Sequence, residues 1–371
     1  MKYLVLDVET TISNDGDPFD TSNKLVCIGY YSPDVFGGVS PAKKDYVQGL
    51  IDKAEILVGF NFKFDLHWLQ RLGLKFEGKK IYDVQLVDYI LSSQTHSFPA
   101  LDEVAYNLLG EKKLDIVKTE YWEKGIDTDK IPWNILSEYC LRDCELTYKL
   151  LLKQKELTPP YQKTLISLSH QDLLILQQME YHGLRFDREQ AKIEEEKALK
   201  RKEELLESLK IHKVPEEFNW ASPVQLSALL YGGTLTFLSK VPDGIWKSGV
   251  KKGQVKFKRV PKDYTFPRKY KPIPGSEGAK KGTYSTQEEV LVKLGKDGLV
   301  GTILEIRAID KLVGTYLQKL PVMQETHNWG KEYLYGQFNQ TTTATGRLAS
   351  SKPNLQNFPE GADRLLVSRF G

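Results

Sequence analysis

Tyr3-Leu4-Val5-Leu6-Asp7-Val8-Glu9-Thr10 decides how this chain is read. Lys2–Val8 is an apolar, β-branched run of strand length, and Asp7 and Glu9 lie at its end. Side chains at i and i+2 leave the same face of a strand, so both carboxylates point one way. Two acids so placed repel one another unless they are solvated or neutralised, and a divalent cation is the usual reason to bring them together. Asp7 also ends the apolar run after four residues, too early for a secretory signal.

Outward from this strand, the polar stretch Ser13–Asn23 reads as a loop and Lys24–Tyr31 as a second strand. Ile56–Phe60 is a third apolar run, and Phe64–Leu72 carries apolar residues at helical spacing. Strands alternating with helices predict an α/β domain through about residue 155. Asn61-Phe62-Lys63-Phe64-Asp65 puts Asp65 just past a strand end, where α/β sites form; taken alone, Asn61 and Asp65 equally suit helix capping. In Tyr139-Cys140-Leu141-Arg142-Asp143, Tyr139 and Asp143 are i and i+4 on one helical face. Tyr139 alone also suits a core position. Cys140 and Cys144 read as buried small residues on a neighbouring face.

Asp7, Glu9, Asp65 and Asp143 together balance the charge of two divalent ions, the arrangement that clamps attacking and leaving oxygens in phosphoryl displacement. LDVET, NFKFD and YCLRD, in that order, resemble the three motifs of the DEDD 3′–5′ exonucleases, in the variant with Tyr in the last motif. Tyr82-Asp83-Val84 and Ser97-Phe98-Pro99-Ala100-Leu101 resemble the family's intermediate segments. The resemblance implies a ribonuclease H-like α/β fold over residues 1–155. It implies that Asp7, Glu9, Asp65 and Asp143 bind two Mg2+ ions, with Mn2+ as a substitute. It further implies that Tyr139 orients the attacking water and that Asn61 supports the site or the substrate strand. Asp83 is expected to be a structural hydrogen-bonding acid.

Composition sets the frame. The 371 residues suggest two or three domains, and 40% apolar residues suffice for ordinary cores. Mean hydropathy is −0.41, and no apolar run is long enough to span a membrane. Cys27, Cys140 and Cys144 are too few and of odd number for a disulfide framework, which points to a reducing compartment, and no ligand spacing suits zinc. Residues 1–150 hold 17 basic against 24 acidic side chains, whereas residues 151–371 hold 35 against 25. An acidic front half beside a basic back half suits a metal site joined to a polyanion-binding surface.

Thr158-Pro159-Pro160 marks a boundary. Tyr161–Glu180 is apolar at helical period, and Asp187–Lys210 reads as a solvated, ion-paired helix with 15 charged residues in 24. Lys240–Thr283 holds 13 basic and three acidic residues and is expected to lie along duplex phosphates or to be a solvated loop. Ser285–Leu320 is predicted to be helical, capped by Ser285 or Thr286. Residues 341–359, TTTATGRLASSKPNLQNFP, carry hydroxyls, amides and cations suited to phosphate and sugar contacts.

That last string is similar to a signature of family A DNA polymerases. Ser285–Leu291, Glu305–Tyr316 and Glu180–Asp187 also resemble that family. The resemblance implies that residues 160–371 are a mostly helical thumb with an incomplete palm, carrying a basic insertion at 240–283 like that of some phage-type members. It places primer–template contacts on Arg347, Lys352, Gln356 and Asn357, while Arg307 and Lys311 are candidates for DNA contact or for ion pairs at the core edge. The palm and finger elements that complete the family's catalytic site are expected elsewhere, so primer extension would require a C-terminal polymerase half. Expected partners are a single-stranded DNA 3′ end, primer–template, that second half and a processivity factor, in the host-cell cytoplasm and with no membrane. Two alternatives compete with the proofreading nuclease: a non-catalytic DNA-binding half of a split polymerase, and an RNase D-like RNA-processing exonuclease.

Overall fold

The run Tyr3–Thr10 forms β1, the central strand of a five-stranded sheet, because apolar neighbours cover both of its faces. In this computed structural model, which describes residues 1–41, 43–359 and 361–368, the chain continues through β2 (Leu25–Ser32), β3 (Val35–Ser40), α1 (Lys44–Lys53), β4 (Ile56–Gly59), α2 (Phe62–Arg71), β5 (Lys80–Asp83) and α3 (Val84–Leu91). α4 (Leu101–Leu109), α5 (Ile116–Glu120), α6 (Trp133–Leu157) and α7 (Lys163–His182) follow. The sheet order is β3-β2-β1-β4-β5, antiparallel from β1 to β3 and parallel from β1 to β5. This is the ribonuclease H-like arrangement. Leu4, Val5, Leu57 and Val58 are fully buried in the sheet, and Phe62, Leu66 and Leu69 of α2 pack on it.

Two compact units result: Met1–Arg188 with Leu320–Gly371, and Glu189–Lys319. The break near residue 158 read from the prolines therefore falls inside the first unit. The physical reason is a return of the chain. Phe98 N–H donates to Thr341 O, Tyr89 Oη to Thr343 O and Ser97 Oγ to Thr342 O, so the polar 341–343 segment is fastened to α3 and the loop after it. β6 (Leu184–Arg185) pairs antiparallel with β9 (Tyr333–Leu334), and β10 (Gln337–Asn339) pairs antiparallel with β11 (Ala349–Ser351). At the centre of this packing Glu180 of α7 accepts from Lys63 and His67 of α2 and from Phe338 N. Burial alone would raise its pKa, but His67 and Lys63 outweigh that and hold it low.

The second unit is helical, as expected, with α8 (Arg188–Ser208), α9 (Pro223–Tyr231), α10 (Glu288–Leu294) and α11 (Gly298–Leu312). Pairs such as Lys192–Glu189 and Lys197–Glu194 lace α8. α10 starts one position later than the capping pattern suggested: Gln287 is the N-cap, and Ser285 Oγ accepts from the Gln287 amide. The basic stretch differs more. Its first part is a strand pair that begins before residue 240, whereas residues 267–283 are turns and bends with one bridge at Glu277. β7 (Gly233–Ile245) and β8 (Val255–Phe266) form a long antiparallel ribbon. Among the described residues no helix is long and apolar enough to cross a membrane.

One glycine controls how α6 meets the sheet. Gly29 pairs with Asp7 across β1 and β2. A Cβ there would lie 2.5 Å from Cys140 Sγ and 2.8 Å from Cys144 Sγ. Gly29→Ala is expected to destabilise the protein by about 1–3 kcal/mol through overpacking. Urea unfolding checks this, and Cys140→Ala in the same background is expected to restore part of the loss.

Candidate metal centre and active site

Close approach of α6 to β1 brings together side chains that lie more than a hundred residues apart in sequence. Asp7, half-buried, and Glu9, 7% exposed, leave one face of β1. Among the described residues, one set of three offers donor atoms within 4.8 Å of one another, and it is Asp7, Glu9 and Cys140. The Cys140 thiol lies 3.6 Å from Asp7 Oδ2. The sequence reading of Cys140 as a small buried residue holds, with this contact as an addition.

Asp65 stands in the first turn of α2, where the positive end of the helix favours an anion. Its Oδ1 accepts from Val8 N–H at 2.8 Å, which locks α2 to β1 between the two strand acids. Asn61 precedes the helix in a left-handed conformation, makes no capping bond through its side chain and is exposed. Asp83 has a separate task. It caps α3 by accepting from Gln85 N and Leu86 N, and it also accepts from Phe62 N. Burial pushes its pKa up to about 6, and three filled acceptor positions make it the structural acid expected.

Tyr139 and Asp143 stand on the face of α6 turned toward these acids, both nearly buried. The Tyr139 ring meets Trp122 edge to face at 5.8 Å between centroids. Sequence reasoning missed Lys113. Its Nζ lies 2.5 Å from Asp143 Oδ2 and 5.0 Å from the Tyr139 ring centroid. Burial opposes its charge, but Asp143 and Tyr139 outweigh burial and hold the ammonium charged. No local motif marks it, since Glu111-Lys112-Lys113 reads as surface.

The electrostatics of the cluster are those of a cation site. Burial and then the charge of Asp143 raise the Asp7 pKa to about 7. Burial and Asp7 push Glu9 and Asp65 well above the carboxylate range, and burial raises Asp143 against the pull of Lys113. Asp143 Oδ1 is buried without a hydrogen-bond partner. Hard oxygen donors, mutual repulsion and an orphaned carboxylate oxygen are the chemistry of a divalent-cation site, and the donor atoms found close together are those of Asp7, Glu9 and Cys140, with Asp65 and Asp143 outside that set. Burial first, then Asp143, raises the Tyr139 hydroxyl, which therefore stays protonated near neutrality.

A stability consequence follows for the protein in chelator. The folded pKa of Asp7 lies above its ordinary 3.8, so its contribution is fully present below about 4 and is lost as pH rises through about 7. Asp7→Asn removes this dependence. The stability of Asp7→Asn relative to the parent is expected to grow between pH 4 and 7, measured by thermal melts in EDTA. Parallel pH curves would contradict the assignment.

The residues expected to contact DNA are placed as follows. Arg347, Gln356 and Asn357 are exposed in the first unit. Lys352, also exposed, pairs with Asp15 at 2.8 Å. Lys311 is exposed on α11, whereas Arg307 is half-buried and its guanidinium donates to Thr286 O. Arg307 thus fastens the segment just before α10 through a backbone carbonyl, a core-edge contact that is not an ion pair.

Comparison with known proteins adds the family. Residues 24–158 match the family model described as 3′-5′ exonuclease, and residues 263–368 match DNA polymerase family A. The chain carries a 3′–5′ exonuclease domain followed by the start of a family A DNA polymerase domain. DNA polymerase I of Synechocystis sp. is 31% identical over 314 residues, covering 82% of this chain and 27% of the relative. The DNA polymerase of Bacillus phage SP01 is 23% identical over 426 residues, covering 96% of this chain and 43% of the relative. The chain thus spans less than half the length of either relative. A solved structure, the POL domain of Pol1 from M. smegmatis in complex with DNA primer-template and dNTP, shares the fold with a TM-score of 0.61. It is 18% identical, over 98% of this chain and 53% of that one. The exonuclease model begins at residue 24, so the β1 acids lie outside the matched segment. The polymerase match over 263–368 favours the proofreading reading over an RNA-processing exonuclease.

Proposed function

We propose that residues 1–155 hydrolyse the terminal phosphodiester of a DNA 3′ end and release nucleoside 5′-monophosphates, as the proofreading part of a phage-type family A polymerase. In this reading residues 160–371 are the thumb and the start of the palm, and they hold primer–template. The observation that carries the proposal is the close donor set of Asp7, Glu9 and Cys140, to which Asp65 and Asp143 do not belong but with whose Asp7 both interact electrostatically, together with the unpartnered Asp143 Oδ1. Two divalent ions bound there would neutralise the acids and polarise the scissile phosphate.

The protein's own side chains do the rest. Asp7 and Glu9, fixed by β1, and Asp65, fixed by Val8 N–H, form the anionic floor. The protonated Tyr139 hydroxyl orients a water for in-line attack. Lys113 holds Asp143 and the Tyr139 ring in register from one side. Exposed Asn61 rims a cavity of about 320 Å3 with Phe64 and Phe98, a surface on which the last bases of a frayed strand can stack. Arg347, Lys352, Gln356, Asn357 and Lys311 are proposed primer–template contacts. A polymerase half supplied alongside would complete primer extension, a processivity factor is a further proposed partner, and the host-cell cytoplasm is the proposed site of action.

The test is a 5′-labelled single strand incubated with the protein. Stepwise shortening from the 3′ end in Mg2+, stopped by EDTA, is expected. An intact strand that is nevertheless bound would instead support the non-catalytic DNA-binding reading.

A further inference from the structure

We propose that Asp7, Glu9 and Cys140 form a three-ligand site for a thiophilic divalent cation, Zn2+ in particular, which binds through the Cys140 sulfur. The inference rests on the donor set and not on the nuclease reading; the exonuclease resemblance gives the thiol no role.

The spacing of the donors suits such an ion. The three donor atoms lie within 4.8 Å of one another. Cys140 Sγ stands 3.6 Å from Asp7 Oδ2 and 3.9 Å from the Asp7 carbonyl oxygen. Around a tetrahedral zinc ion, with metal–sulfur and metal–oxygen bonds of about 2.3 and 2.1 Å, sulfur and oxygen are about 3.6 Å apart. Thiol and carboxylate are therefore already at the separation that zinc requires.

Packing fixes the sulfur there. Cys140 is fully buried on α6, and Gly29 of β2, the partner of Asp7 in the sheet, presses against it. A Cβ at Gly29 would lie 2.5 Å from Cys140 Sγ. The three cysteines are free, so no disulfide engages this thiol. Asp7 is half-buried whereas Glu9 and Cys140 are buried, so an ion reaches the set past Asp7. No spacing in the sequence announces the site, because its ligands come from a strand and a distant helix.

One sulfur beside two carboxylates selects among ions. Mg2+ takes octahedral oxygen donors and keeps several waters, whereas Zn2+ accepts thiolate and carboxylate together. The thiol gives its proton to solvent as the metal–sulfur bond forms. Three protein ligands leave the fourth position of a tetrahedral ion open. Asp143 is the candidate for it: its Oδ1 is buried without a hydrogen-bond partner, and its charge acts on both Asp7 and Glu9. A thiol that only donates a weak hydrogen bond to Asp7 would account for the 3.6 Å contact but leave that orphaned oxygen unanswered. Zinc bound here occupies two of the four acids expected to hold magnesium.

The experiment titrates Co2+, and then Zn2+, into the full chain after treatment with EDTA and removal of the chelator. About one equivalent of Co2+ is expected to give a near-ultraviolet thiolate-to-cobalt charge-transfer band that a similar amount of Zn2+ abolishes. The band is expected to be absent in Cys140→Ala and retained in Cys27→Ala and Cys144→Ala, with thermal melts in EDTA showing that each variant is folded. Zn2+ affinity, measured by competition with a chromogenic chelator, is expected to fall in Cys140→Ala by at least the 10–100-fold, roughly, that loss of an outer-shell partner costs. Glu9→Gln keeps every thiol and is expected to weaken Zn2+ binding by a similar factor, which tests the site even where Cys140→Ala does not fold. No band in the parent, a band that survives in Cys140→Ala, or parental Zn2+ affinity in Glu9→Gln overturns the proposal. Mg2+-dependent shortening of single strands is read in parallel. Its absence alongside the band sinks the nuclease reading alone, and its presence without the band sinks this proposal alone.

Discussion

Asp7→Ala is expected to lower metal-dependent shortening of a DNA 3′ end by about 10³-fold or more while single-strand binding is retained. A metal clamp supplies several kcal/mol of transition-state stabilisation, and each 1.4 kcal/mol is tenfold in rate. Asp7 lies in the tightest donor set of the site, beside Glu9 and Cys140. Its removal is not expected to unfold the chain. Its carboxyl is raised to about 7 by burial and by Asp143, so taking it away relieves repulsion in the metal-free protein. An unchanged or higher melting temperature in EDTA, with activity gone, is therefore the expected pair of results. Full activity in Asp7→Ala would remove the basis of the nuclease assignment.

Tyr139→Phe is expected to lower kcat by about 10²-fold with little change in KM, the range for a single side chain that positions a proton in the transition state. The ring stays against Trp122 and beneath Lys113 in this variant, so packing is preserved. Steady-state cleavage over a range of DNA concentrations measures both, and single-turnover cleavage with the protein in excess isolates the chemical step. A fall in binding with kcat intact would assign Tyr139 to the substrate strand or to the core.

Much of the site was legible in the sequence because its signals are local. Strand alternation placed Asp7 and Glu9 on one face, and an i, i+4 spacing placed Tyr139 and Asp143 on one helix face. What escaped is set by tertiary packing. Lys113 acquires its role only because α6 brings Asp143 to it. Gly29 matters through the two cysteines pressed against it, and no turn marks it in the sequence. The ribbon was hidden by composition: Lys, Gly and Pro interrupt the alternation of Val241, Val255, Phe257 and Val260 that would otherwise have indicated strands. The return of residues 320–371 to the first unit rests on bonds such as Phe98 N to Thr341 O, which join segments more than 240 residues apart.

The central claim is that Asp7, Glu9, Asp65 and Asp143 hold a shared pair of cations. Anomalous scattering from crystals soaked in Mn2+ measures this directly. The account predicts two peaks bounded by these four side chains, both lost in crystals of Asp7→Ala. A well-diffracting parent crystal with no peak among them, or with manganese bound only at other acids, would contradict it.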